Sequence, residues 1–231
     1  MGSQQLNVVS YLGSQPLFDG MSAHELARMA RACQIRHLVR GSELFQAGQA
    51  CEGLYLIVDG QVKLYAKAPN GHEKVIEVVG KGGCVAGALM FSKGEHSMHA
   101  SVLADTHILL MPREVLVSEI GHNPGLAMRM LTGISWQING LLRDIEAVTL
   151  HSGVQRVIDY LLRAPATGQA RQSAQDVTVS LPASKGTIAS LLSVTPEHFS
   201  RILHELQARG LISVQRRHIH ILDAQALASY A

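Results

Sequence analysis

Residues Ser184–Arg209 read SKGTIASLLSVTPEHFSRILHELQAR, and this stretch decides the fold. Its second half opens on Thr195-Pro196-Glu197. Thr195 is a good N-cap, proline suits the first helical position, and a glutamate favours the positive end of the helix dipole. Phe199, Ile202, Leu203 and Leu206 follow at spacings of three and four, which gives one buried stripe. His198, Ser200, Arg201 and Glu205 fall on the other face. Gly210 stops the helix where a C′ glycine belongs. Upstream, Ile188, Ala189, Leu191 and Leu192 supply apolar positions for a first helix packed on the second.

Two short helices joined by a tight turn are the layout of a helix-turn-helix. In that motif the second helix enters the DNA major groove with its N-terminal residues against base edges. The next residues, Leu211–Leu222, alternate apolar and polar around Gln215-Arg216-Arg217. Ile212 and Val214 pair with Ile219 and Ile221 as a hairpin with a basic tip, the wing of a winged helix. Arg216 and Arg217 would meet backbone phosphate, which positions without specifying. The alternative is a helical pair and hairpin that pack only on protein. The N-cap, glycine stop and basic tip in this order favour the DNA reading.

The chain has 231 residues, enough for two domains. Its formal net charge is only +2. A protein that coats nucleic acid through charge alone is excluded, and a reader with a locally basic face fits. Cys33, Cys51 and Cys84 are an odd number, widely spaced. They suit a reducing cytoplasm and offer neither a disulfide framework nor zinc or iron–sulfur spacing. Met1–Tyr11 lacks a basic region followed by an apolar core, so no leader is expected. No apolar run has the length of a membrane span.

Residues 22–33 predict an amphipathic helix capped by Ser22. From Gln34 to Met111 short alternating runs are punctuated by glycine, the texture of a small β-sandwich or barrel. Asp59-Gly60 and Asn70-Gly71 are hairpin signals. Asn123-Pro124 starts a long helix. Leu131, Ile134, Ile138, Leu141, Ile145 and Val148 form an apolar seam along it for about three heptads. The seam packs either on the chain's own barrel or on a second copy, and the two-fold symmetry of such DNA readers favours a homodimer. Gly133 and Gly140 interrupt it, at about 1 kcal/mol each relative to alanine. His151-Ser-Gly153 is a break and an expected hinge. A helix over 154–163, a polar surface loop over 164–175 and a strand over 177–181 lead into the helix-turn-helix.

The order barrel, long helix, winged helix resembles the CRP/FNR family of bacterial transcription regulators over about residues 15–230. The residues that carry the resemblance are Leu44-Phe-Gln-Ala-Gly48, Leu54-Tyr-Leu-Ile-Val-Asp-Gly-Gln-Val-Lys-Leu-Tyr65, Gly71–Val78, Leu89-Met-Phe91 and the helix-turn-helix. Asp144-Ile-Glu146, Arg156–Leu162, Pro196–Ile202 and Ile219–Asp223 look most like the Dnr/Nnr subgroup, which controls denitrification genes in response to nitric oxide. The resemblance implies an α+β protein. It would have an N-terminal cyclic-nucleotide-binding-like β-roll sensor (1–120), a dimerisation helix (121–150) and a C-terminal winged helix-turn-helix (151–231). It also implies a palindromic double-stranded DNA site and RNA polymerase as a partner, with an activator's role.

FNR-type regulators read half-sites similar to TTGAT with Glu-x-x-Ser-Arg, present here as Glu197-His198-Phe199-Ser200-Arg201. Arg201 can donate twice to guanine, Glu197 can accept from a cytosine amino group, and Ser200 can touch a thymine edge. Arg201 is also placed to pair with Glu197. CRP-type readers carry arginine where this chain has Pro196. Thr195, His198 and Lys185 complete the expected interface with Arg216 and Arg217.

For the sensor, the resemblance places Gly87 and Ser97 where CRP has the glutamate and arginine that hold cyclic AMP. The phosphate-clamping charge is missing there, which argues against cyclic AMP. The absence of cysteine from Met1–Pro16 argues against an iron–sulfur cluster. Haem remains, in a pocket between roll and long helix lined by Leu89, Met90, Phe91 and Leu131. Candidate axial ligands are His96, His99, His107 and Cys84, with Met90 and Met98 weaker. The subgroup's histidines before Leu17-Phe18 are replaced here by Pro16. Another small ligand, or thiol redox at Cys33, Cys51 or Cys84, is the alternative. No phosphate loop, nucleophile context or paired carboxylates point to an enzyme. A ligand-binding module without DNA output is set against the intact Glu197–Arg201 pattern.

Overall fold

The computed structural model describes residues 6–91, 94–163 and 177–230. The expected loop over 164–175 lies outside the described residues. The chain begins with α1 (Val8–Gly13) and α2 (Ala23–Ala32), joined through a short 3-10 turn at Pro16–Phe18. Ser22 caps α2 and exchanges hydrogen bonds with Glu25, a full capping box.

Eight strands follow: β1 (Gln34–Leu38), β2 (Glu43–Phe45), β3 (Gly53–Asp59), β4 (Gln61–Lys67), β5 (Glu73–Gly80), β6 (Cys84–Val85), β7 (His99–Val102) and β8 (Thr106–Pro112). They make two four-stranded sheets, ordered β1-β8-β3-β6 and β2-β7-β4-β5. Asn70-Gly71 turns β4 into β5, neighbours in one sheet, as its sequence predicts. Asp59-Gly60 does not make the expected hairpin. It carries the chain from β3 in the first sheet to β4 in the second. Gly60 sits there at φ 91°, and a Cβ would stand 2.3 Å from Thr106 Oγ1. The turn signal was local, and pairing is decided by what each strand packs against.

The central strands of the first sheet, β3 and β8, are buried on both faces while its edge strand β1 is largely exposed, which explains the unbroken apolar run Leu54–Val58. Tyr55, Ile57, Ile108 and Leu110 face the roll interior with Phe45, Val62, Leu64, Ala100 and Val102. Leu54, Leu56, Leu109 and Met111 face the helices, against Leu12, Phe18, Met29, Leu116, Leu126 and Met130. This second layer includes α3 (Arg113–His122) and the start of α4 (Pro124–Leu150).

The rest comprises α5 (Gly153–Arg163), β9 (Val177–Ser180), α6 (Lys185–Leu191), α7 (Pro196–Ala208), β10 (Ile212–Gln215), β11 (His218–Ile221) and α8 (Ala224–Ala228). The three strands form one sheet, ordered β10-β11-β9. Val157, Ile158, Leu161, Ile188, Phe199, Ile202, Leu203, Leu206, Ile219 and Leu227 are buried in this part of the chain.

The chain divides into two compact units. One runs to Ala66 and resumes over Glu77–Gly140; the other takes Lys67–Ile76 and continues from Leu141. The division cuts α4 within its length, where the sequence placed boundaries at residues 120 and 150. It also joins the β4–β5 hairpin tip to the second unit. Along α4 the seam residues Leu131, Ile138, Leu141, Ile145 and Val148 are exposed, Ile138 at 52% and Ile145 at 63%. Ile134 is half-buried.

Candidate nucleic-acid interface and ligand cavity

α7 forms as its sequence dictates. Thr195 is its N-cap and its hydroxyl accepts from the His198 backbone N–H at 3.1 Å. Gly210 follows the C-cap in the left-handed region at φ 72°. Glu197, Ser200 and Arg201 are exposed together with Thr195, while Phe199, Ile202, Leu203 and Leu206 are buried. The expected Glu197–Arg201 pair is not made: neither side chain has a hydrogen bond or ion pair among the described residues. The acceptor of Glu197 and the five N–H donors of Arg201 are therefore open to other partners. His198 is half-buried, and its ring lies 3.1 Å from where a Cβ on Gly153 would stand. Its surroundings are those of a packing residue at the start of α5.

Lys185, at the start of α6, is exposed. Arg216 and Arg217 form the exposed turn between β10 and β11, with Arg216 at φ 56°. The Arg217 carbonyl accepts from the Leu181 N–H, which ties the tip to the end of β9.

Two cations missed in the sequence hold the turn before α7. The Arg156 guanidinium donates to the carbonyls of Leu192 at 2.8 Å, Ser193 at 3.1 Å and His151 at 2.7 Å. Lys74, from the β4–β5 hairpin, donates to the carbonyls of Leu191 at 2.9 Å and of Ser190. The Ser190 hydroxyl accepts from Val75 N–H at 2.9 Å. Positive charge at the C-terminal end of α6 satisfies carbonyls that the helix leaves open and opposes its dipole. Burial, with Arg156 nearby, pushes the Lys74 pKa down. The expected break at His151–Gly153 is present and is braced by α5: His151 Nδ1 lies 3.0 Å from Asp159.

In the first unit a cavity of about 520 Å³ opens beside α4. Its wall includes Leu17, Leu54, Cys84, Arg129, Met130 and Trp136. The expected lining is not there. Met90 is fully buried in the helix-side core, and Phe91 and Leu131 are exposed; Leu89 is also outside the wall. Of the four haem-ligand candidates only Cys84 reaches the wall. Its side chain is exposed to the cavity; desolvation by the surrounding wall and the carboxylate of Glu77 raise its thiol pKa, which works against the thiolate a metal needs. His96 is buried and stacked 3.5 Å from Phe45; His99 stacks on Tyr65 and His107 on His37. Burial lowers the His96 pKa. The three histidines are therefore dispersed through the roll, and among the described residues no group of three metal-ligating side chains forms. Gly87 lies in the cavity wall and Ser97 is exposed. Arg129 is a wall residue that sequence reasoning missed. Its Nε donates to the Leu17 carbonyl at 2.8 Å, and its Nη2 is buried without a partner among the described residues.

Comparison with known proteins agrees with this architecture. Residues 35–123 match the cyclic nucleotide-binding domain, and residues 155–230 match the Crp-like helix-turn-helix domain. A CRP-like cAMP-activated global transcriptional regulator of Mycobacterium tuberculosis is 24% identical, over 93% of this chain and 96% of that protein. The fumarate and nitrate reduction regulatory protein of Salmonella typhi is 26% identical, over 91% of this chain and 84% of its own. Among solved structures, FixK2 from Bradyrhizobium japonicum superposes with a TM-score of 0.74 at 20% identity, covering 85% of this chain and 96% of that one. DNR from Pseudomonas aeruginosa gives 0.51 at 27% identity, covering 99% and 100%. The chain belongs to the CRP/FNR family: it is a DNA-binding transcription regulator, with a cyclic nucleotide-binding-type roll joined to a Crp-like helix-turn-helix, and its relatives are regulators rather than enzymes.

Proposed function

We propose that this chain works in the cytoplasm as a homodimer that reads an inverted repeat of TTGAT-like half-sites, under the control of a signal received at the roll. The observation that carries the reading is the exposed set Glu197, Ser200 and Arg201, unpaired among the described residues, at the start of a capped, buried-stripe helix. Arg201 reads guanine, Glu197 the cytosine amino group and Ser200 a thymine edge. Lys185, Arg216 and Arg217 meet phosphates. The exposed seam on α4 brings in the second copy, so that two α7 helices meet half-sites about 34–36 Å apart. Bound DNA is then presented to RNA polymerase, with activation as the output.

Fluorescence anisotropy on a labelled duplex with two such half-sites tests this. Arg201→Ala should abolish discrimination against a duplex with the guanine replaced, at about 1–3 kcal/mol per half-site. Unchanged discrimination would sink the readout. The wing arginines should act differently: Arg216→Ala with Arg217→Ala weakens all duplexes alike and lowers the salt slope.

The signal has two readings. The first is a small ligand in the cavity beside α4. The second is nitric oxide at a haem, as in the Dnr/Nnr resemblance; Cys84 is the one candidate ligand in the cavity wall, and its raised thiol pKa weighs against this reading. A haem would supply the gas-binding iron, and this chain would offer the Cys84 sulfur and an apolar wall. A haemin titration with and without nitric oxide separates them. A Soret band saturating at one haem per chain and moving with nitric oxide selects the second.

A further inference from the structure

The cavity beside α4 has a chemistry of its own. Its volume of about 520 Å³ is that of a small-molecule site. Apolar side chains dominate its wall, Leu17, Leu54, Met130, Ile134 and Trp136 among them. One cation interrupts them. Arg129 spends Nε on the Leu17 carbonyl and keeps a buried Nη2 with no partner among the described residues. A buried N–H of a guanidinium left without an acceptor is unfavourable, and an anionic oxygen is the acceptor that relieves it best; Nη2 has almost no accessible surface, so an occupant meets it only once the guanidinium turns toward the cavity it lines. Glu77 stands in the same wall and accepts from Gln137 at 3.3 Å. Its negative charge disfavours a second anionic group on any occupant. Gly133 faces open space: a Cβ there would meet nothing within 4 Å.

We propose that this cavity binds a small organic acid with an apolar body and one negative charge, held through its carboxylate by Arg129. The inference rests on the reading of this chain as a ligand-controlled regulator and names the class of ligand. It differs from a nucleotide, whose body is polar. It differs from haem in needing no axial ligand.

The chain's one tryptophan, Trp136, lies in the wall and reports occupancy by its emission. The full-length protein is titrated with phenylacetate and octanoate, and with phenylacetamide and octanamide as neutral counterparts. At least one acid should give a saturable change at one site per chain and bind at least tenfold tighter than its amide. Arg129→Gln should weaken that acid at least tenfold. Gly133→Leu should abolish binding by filling the space, and as a helical glycine replacement it should leave the melting temperature unchanged or higher. Equal binding of acid and amide, an unaltered affinity in Arg129→Gln, or no saturable change with either acid would overturn the proposal. So would cyclic AMP or haemin filling the cavity while both acids fail. Duplex binding that depends on Arg201 is measured on the same protein. If it persists while the acids fail, this inference falls alone. If the acids bind through Arg129 and no duplex is discriminated, the ligand site stands and the DNA reading falls.

Discussion

Replacing Arg156 should uncouple the two helices of the reading head. Its guanidinium serves three carbonyls, those of Leu192, Ser193 and His151, at 2.7–3.1 Å. Ser193 is a non-glycine residue at φ 55°, so the turn between α6 and α7 carries strain that its neighbours must hold. A hydrogen bond to a charged group contributes about 1.5–3 kcal/mol. Arg156 is half-buried, so water can replace part of what is lost, and the three bonds share one side chain. We expect Arg156→Ala to lose about 2–4 kcal/mol, a large share of the roughly 5–15 kcal/mol that holds an ordinary domain. Urea unfolding measures this as a lower midpoint at unchanged slope. Arg156→Lys should recover only part of it, since an ammonium lacks the planar fork that spans several acceptors. DNA anisotropy at a urea-free temperature well below the melt should show at least tenfold weaker specific binding, because the start of α7 is no longer fixed. A stability loss under 0.5 kcal/mol together with unchanged duplex affinity would refute the argument.

Further outcomes follow from other parts of the molecule. Ile138→Asp with Ile145→Asp should convert dimer to monomer in sedimentation at micromolar concentration. Four half-exposed isoleucines at about 1 kcal/mol each make roughly 4 kcal/mol, a thousandfold in dissociation constant. A dimer that persists would place the interface elsewhere. Gly53→Ala should destabilise by about 1–3 kcal/mol in thermal unfolding, because a Cβ would stand 2.1 Å from the Met111 carbonyl oxygen of the paired strand. An unchanged melt would contradict the β3–β8 register. The depressed His96 pKa means the folded state binds a proton less readily than the unfolded state. Stability is therefore present above the ordinary histidine value of 6.5 and lost as pH falls below it. His96→Phe should flatten that acid-side slope in urea titrations below pH 6.5, and an unchanged slope would assign the loss to other groups.

What the sequence disclosed and what it withheld divide by range. The N-cap at Thr195, the stripe Phe199–Leu206 and the stop at Gly210 depend on neighbours within a few residues, so the pattern of α7 could be read directly. The same holds for Ser22 capping α2, and for the wing, whose two arms are separated only by Arg216-Arg217. Asp59-Gly60 misled because a turn dipeptide says where the chain reverses but not which sheet receives it. Lys74 binds carbonyls 116 and 117 residues away, and Arg129 binds one 112 residues away. No periodicity signals such contacts. Histidines proposed as haem ligands were chosen for their chemistry, and the roll instead uses them in ring stacks. The one trace available was arginine beside apolar helix positions: Arg129 sits between Met128 and Met130, and Arg156 lies in the first turn of a helix with an apolar stripe.

On the proposed reading, α4 is the element through which ligand and DNA would be linked. Over residues 129–138 one face supplies Arg129, Met130, Gly133 and Trp136 to the cavity, and Leu131 and Ile138 stand exposed on the same two turns. Whatever fills the cavity therefore leans on the helix whose exposed apolar seam is proposed to receive a second copy. A ligand changes the outcome only through unequal affinity for two states of that helix, and each tenfold difference shifts their balance by about 1.4 kcal/mol. The two glycines in α4 matter here. Gly133 and Gly140 each lower helix stability by about 1 kcal/mol relative to alanine, and a Cβ at either meets nothing within 4 Å. Neither is required by packing among the described residues, so both weaken the helix without a compensating contact there. A helix softened in this way has alternative states within reach of a ligand's binding energy, as a switch needs and a static scaffold does not.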